Sequence, residues 1–109
     1  MLTIDEIRKN SPAPQLSGDP GRGCCVGGYI HIALGGCYSF PGPVPLGKSL
    51  MMLNPALNDD QAYRFALRII MYNDDFHFET AWEAAKEAEQ WRPASILDQG
   101  HVADPSAAV

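Results

Sequence analysis

Between Gly35 and Pro45, six of eleven residues are glycine or proline, three of each. Proline lacks an N–H and fixes its own φ, and glycine weakens helix and strand alike. No regular element is expected to run through such a stretch. The chain therefore reads as two structured halves joined by an irregular crossover, with Tyr38 and Phe40 expected to fold back over the core as plugs. At 109 residues, the whole is one domain.

Beyond the crossover the signals are helical. Leu46 to Leu53 reads as a short helix stopped at Asn54-Pro55. The clearest element begins with Asn58 as a cap and Gln61 closing a capping box. Its apolar stripe is Ala62, Phe65, Ala66 and Ile69, and it ends near Met71. Asn73-Asp74-Asp75 reads as the break after it and as caps for the next helix. That last helix spans Glu79 to Trp91, with Ala81, Ala84, Ala85 and Ala88 on or near one face and Trp82 and Trp91 as anchors. Its like-charged Glu83–Glu87 pair is partly offset by Glu83–Lys86. Pro93 stops it.

Ahead of the crossover, Thr3 and Glu6 form a second capping box, with Leu2 and Ile7 at the staple positions. Asn10-Ser11-Pro12-Ala13-Pro14 closes that short helix. A loop from Gln15 to Gly23 follows, with a turn at Gly18-Asp19-Pro20-Gly21. The stretch from Val26 to Leu34 fits two periods. Val26, Ile30, Ala33 and Leu34 make a helical face, whereas Ile30, Ile32 and Leu34 alternate as in a strand. Helix is preferred because every other element is helical and a lone strand has no partner.

The fold class expected is mainly α: a small compact domain of four to five helices with a Pro/Gly-rich crossover. Residues 1–93 form the domain and 94–109, which lack a sustained period, a flexible C-terminal tail. Val26, Ile30, Leu34, Phe65, Ile69 and the tryptophans are the expected core.

Charge excludes some functions. The net charge is −5, and it resides in one half: residues 59–91 hold eight acids against three bases, while the remainder is neutral. With no basic stripe to neutralise phosphates, nucleic-acid binding is not expected. The longest weakly polar run, Cys24 to Leu34, is too short to span a bilayer, so no membrane role is expected. Met1 precedes a polar, mixed-charge segment rather than a basic start and apolar run. A cytoplasmic location with reduced cysteines follows.

Four features could carry chemistry. Cys24, Cys25, His31 and Cys37 suffice in number for zinc, but no pair has knuckle spacing, and buried thiols explain them better. Cys25 is the candidate reactive thiol, because glycines precede it at a helix start where backbone N–H groups stabilise a thiolate. Asp74, Asp75, His77 and Glu79 could bind a divalent ion or exchange protons, yet a turn with caps uses the same residues. Gly42 to Ser49 matches the phosphate-loop spacing, but Pro43 and Pro45 have no N–H to offer a phosphate. No metal, cofactor or catalytic set is expected.

The run GCCVGGYIHIALGG, followed later by YNDD and an acidic helix, resembles a loosely defined family of small uncharacterised actinobacterial and phage proteins. The matching residues are Cys24, Cys25, Gly27, Gly28, Ala33, Tyr72, Asn73 and Asp74, within residues 21–91. In this chain Asp75-Phe76-His77-Phe78-Glu79 stands where the family tends to have a proline or glycine turn and a threonine cap. The resemblance implies a helical fold and a phage origin, and no catalytic residues.

The function expected is a small protein-binding accessory or modulator acting on a host protein. Its surface is drawn from the loop aromatics Tyr38, Phe40, Phe76 and Phe78 with His77, and its partner is another protein or a second copy in a homodimer. The alternative is a small cysteine- or metal-dependent enzyme, or a zinc-stabilised module, built on Cys24, Cys25, His31 or the Asp74–Glu79 cluster.

Overall fold

The computed structural model describes residues 2–16 and 23–93, and among them the chain forms five helices and no strand. These are α1 (Ile4–Lys9), α2 (Val26–Ala33), α3 (Pro43–Leu53), α4 (Asp59–Asp74) and α5 (Phe78–Gln90). The expected mainly α class holds. The turn at 18–21 and the tail at 94–109 lie outside the described residues.

Both capping boxes form. The Thr3 side chain accepts the Glu6 N–H, and Glu6 Oε1 accepts the Thr3 N–H in return. Asn58 and Gln61 make the same exchange at the start of α4. Such reciprocal bonds satisfy donors that a helix start leaves without partners. The stripe of α4 is inward as expected: Ala62, Ala66 and Ile69 are buried and Phe65 half-buried. On α5 the four alanines and Trp82 are buried, and Trp91 packs half-buried on the edge of the core.

The helical period wins in α2. Val26 and Ile30 are completely buried, but Leu34 is only half-buried and Ala33 exposed, because the helix ends there and its last turn leaves the core. This helix touches all four others, and every residue from Gly23 to His31 is buried. Glycine makes the approach close. A Cβ on Gly27 would lie 2.9 Å from Leu46 Cδ2 on α3, so one of the two glycines admits a neighbouring helix. A Cβ on Gly28 would lie 2.0 Å from the Ser39 carbonyl oxygen; there it is the crossover's backbone that lies against the helix.

The crossover is shorter than expected. Gly42 is the N-cap of α3 and Pro43 its first residue, so the prolines at 43 and 45 stand in the first turn. Their missing N–H groups are among those a helix start leaves unbonded in any case. Tyr38 and Phe40 are not plugs: they are 55% and 61% exposed. The α4 helix also runs past Met71 to Asp74, so Asn73 is a helical residue rather than a turn residue. No side chain caps α5, whose N-cap is His77.

Two asparagines stitch helix ends together. Asn73, almost fully buried, accepts the Val26 N–H at 2.9 Å and donates to the Gln15 carbonyl at 3.1 Å. Asn54, the C-cap of α3, donates to the Ala88 and Trp91 carbonyls at the end of α5, at 2.8 and 2.9 Å. Charge holds α1 on α5: Lys86 pairs with Asp5 at 3.1 Å, Arg8 pairs with Glu79, and Glu89 accepts the Ile4 N–H at 2.9 Å. Lys86 therefore reaches across to Asp5, where a Glu83 partner within its own helix was expected. No helix among the described residues is long and apolar enough to cross a membrane.

Candidate functional site: the corner between α4 and α5

The chain leaves α4 through a Schellman turn. Asp75 is the C-cap, the Phe76 N–H bonds the Asn73 carbonyl at 3.0 Å, and the His77 N–H bonds the Tyr72 carbonyl at 2.8 Å. This motif requires its αL position to be filled, and glycine is the usual occupant. Here that position holds Phe76, with φ +63°, the one non-glycine residue with positive φ among those described. Phe76 is also 66% exposed, and its ring meets Phe78 edge to face at 6.0 Å. Phe78 is half-buried, lining an open groove with Arg8, Pro12 and Trp82, while His77 is exposed.

On another side of the same helix end is a small apolar cavity of about 140 Å³. Phe40, Pro41, Pro43 and Ile70 form its walls, with Cys25, Asn73 and Asp74 beside them. Its volume lies well under the roughly 300–1,000 Å³ typical of sites for drug-sized ligands. It matches the apolar cavities of about 150 Å³ that take one benzene-sized group. The structure thus pairs Phe76 with Phe78 just past the end of α4, and sets Phe40 in the cavity that Asp74 of the same helix end lines. Tyr38 is stacked on the His31 ring at 5.6 Å.

Cys25 borders that cavity as the N-cap of α2. Its sulfur accepts the Gly28 N–H at 3.2 Å, which is the contact expected of a helix-start thiolate. The environment opposes ionisation: burial pushes the thiol up, the backbone donors counter only in part, and the Asp74 charge adds to the rise. At 5% exposure, Cys25 is a protonated thiol in ordinary conditions. Cys24 is fully buried and Cys37 exposed, and no group of three metal-ligating side chains exists among the described residues.

His31 stands out in the sequence, but its partner, 18 positions away, does not. His31 Nδ1 lies 2.8 Å from Ser49 Oγ, joining α2 to α3, while Nε2 is buried without a hydrogen bond. Burial lowers the imidazole's pKa, so the ring is neutral near pH 7. A serine nucleophile needs access to substrate and a group holding the far ring nitrogen. Ser49 is buried and Nε2 has no such group, so the pair works as a clip between helices. The phosphate-loop match is likewise absorbed into α3, where Pro43 to Ser49 are wound as helix.

Neither Ile70 nor the unpaired state of Asp74 and Asp75 was visible in the sequence. The one available signal was that no glycine follows Asn73-Asp74-Asp75, where a helix of this kind usually ends on one. No family model, curated protein or solved structure matches the chain.

Proposed function

We propose that this protein is a small protein-binding domain whose contact surface is the α4–α5 corner, with Phe40, Phe76 and His77 exposed and Phe78 half-buried beside Phe76. The observation that carries this reading is Phe76, a large aromatic two-thirds exposed at a backbone position that suits glycine. Holding an L-residue there costs about 1–2 kcal/mol, a cost that persists at sites kept for something other than folding. Aromatic side chains are favoured anchors in protein interfaces. The 140 Å³ cavity beside Phe40 suits a single inserted side chain better than a cofactor. The family resemblance would make the partner a host-cell protein.

Cross-linking tests the reading. A photoreactive amino acid is placed at position 40, at 76, or at the exposed Glu83 on α5, and the protein is irradiated in lysate of the source cells. A common adduct from positions 40 and 76, absent from 83, is the expected result. Adduct to a second copy of the chain would identify a homodimer. Identical adducts from all three positions, or none from 40 and 76, would remove the corner as the contact surface.

A further inference from the structure

The corner departs from local rules in its charges as well as its backbone. Asp74 is the last residue of α4 and Asp75 its C-cap, so two carboxylates stand at the negative end of the helix. The last turn of α4 has no basic residue, and neither acid has an ion-pair partner among the described residues. Most other acids among the described residues are engaged. Asp60 pairs with Arg64, Glu87 with Arg68, Asp5 with Lys86 and Glu79 with Arg8, while Glu89 caps α1. Asp74 itself helps to line the small apolar cavity, and Asp75 follows it as the C-cap.

We propose that this corner docks a segment of a partner protein in which an aliphatic side chain stands next to a lysine or arginine. The inference rests on the protein-binding reading above and names the chemistry of the partner. The aliphatic group enters the cavity between Phe40, Pro41, Pro43 and Ile70. The cation sits against Asp74 and Asp75, relieving their mutual repulsion and their clash with the helix dipole, and the exposed face of Phe76 is available to it as a cation–π surface. Charge and shape select the same ligand: an acidic rim rejects an acidic segment, and a cavity of this size rejects a purely polar one.

Three short synthetic peptides separate the contributions: one pairing lysine with leucine, one with every lysine changed to glutamate, and one with every leucine changed to serine. Each is titrated into isotope-labelled protein and followed by amide chemical shifts. The lysine–leucine peptide alone is expected to bind, shifting Phe40, Ile70 and the stretch from Asn73 to Phe76. The D74N/D75N double variant should weaken it roughly threefold to tenfold, the loss expected for two exposed ion pairs. Phe40→Ala should weaken it as well, and added salt should act like the charge variant. Equal binding of the lysine–serine peptide, or shifts spread over the rest of the acidic surface, would reduce the effect to bulk charge and overturn the proposal. Binding of the glutamate–leucine peptide at the same residues would overturn the partner chemistry while leaving the protein-binding reading intact. Failure of all three at the corner would overturn the partner chemistry too. Cross-linking from Phe76 would then decide separately whether the surface binds protein at all.

Discussion

At the scale of single residues, side chains close two kinds of bond in this fold, capping boxes within three positions and asparagine bonds across the chain. Thr3–Glu6 and Asn58–Gln61 are three apart, so spacing alone identifies them. Asn73 looked like a local turn residue because its partners, Val26 and Gln15, lie 47 and 58 positions away. Asn73→Ala would leave the first N–H of α2 buried without a partner. It should destabilise the fold by about 2–3 kcal/mol, read from urea unfolding. His31 gives a pH dependence. Its folded-state pKa is below its unfolded value near 6.5, so the neutral ring's contribution is complete above that pH and declines as pH falls through it. Stability should therefore drop as pH falls below about 6.5 in the wild type and much less in His31→Phe. Among the cysteines, exposed Cys37 should react rapidly with a disulfide reagent. Cys24 and Cys25 should react only when the protein unfolds, and a fast second thiol would contradict the burial described for Cys25.

At the scale of elements, amphipathic period located α4 and α5, while α2 was ambiguous because Ile30, Ile32 and Leu34 satisfy both periods. Packing on all four neighbours, which no local pattern encodes, is what holds it as a helix. The start of α3 is hidden for a different reason: proline breaks a helix in mid-run, but in a first turn it interrupts no helical hydrogen bond. The glycines of α2 give a graded test. Gly27→Ala presses on a flexible leucine tip and should cost about 1 kcal/mol or less after Leu46 shifts. Gly28→Ala meets the Ser39 backbone, which cannot move without displacing the crossover, and should cost about 3 kcal/mol or more. Similar midpoints for the two variants in denaturant would show that the crossover does not press on α2 as described.

At the scale of the whole molecule, fold class was legible and the site only in outline. Tyr38, Phe40, Phe76 and Phe78 were recognisable as loop aromatics, yet sequence alone could not say which would cover the core. Phe76 and Phe78 meet past the end of α4, Phe40 lines the cavity bordered by Asp74, and Tyr38 stacks on His31. That end also carries the positive φ at Phe76 and two unpaired acids at a helix C-terminus. Caps and ion pairs over most of the fold agree with it, and under the proposed binding function the conflicts gathered at this helix end are what a contact surface would keep. The most direct test is the thermal midpoint of Phe76→Gly. Glycine relieves about 1–2 kcal/mol at the αL position and loses an exposed ring contact with Phe78 of about 0.5 kcal/mol. The expected result is a midpoint raised by roughly 2–8 °C. A lower midpoint would mean that Phe76 holds the fold together, and would contradict the claim that this corner gives up stability for a partner.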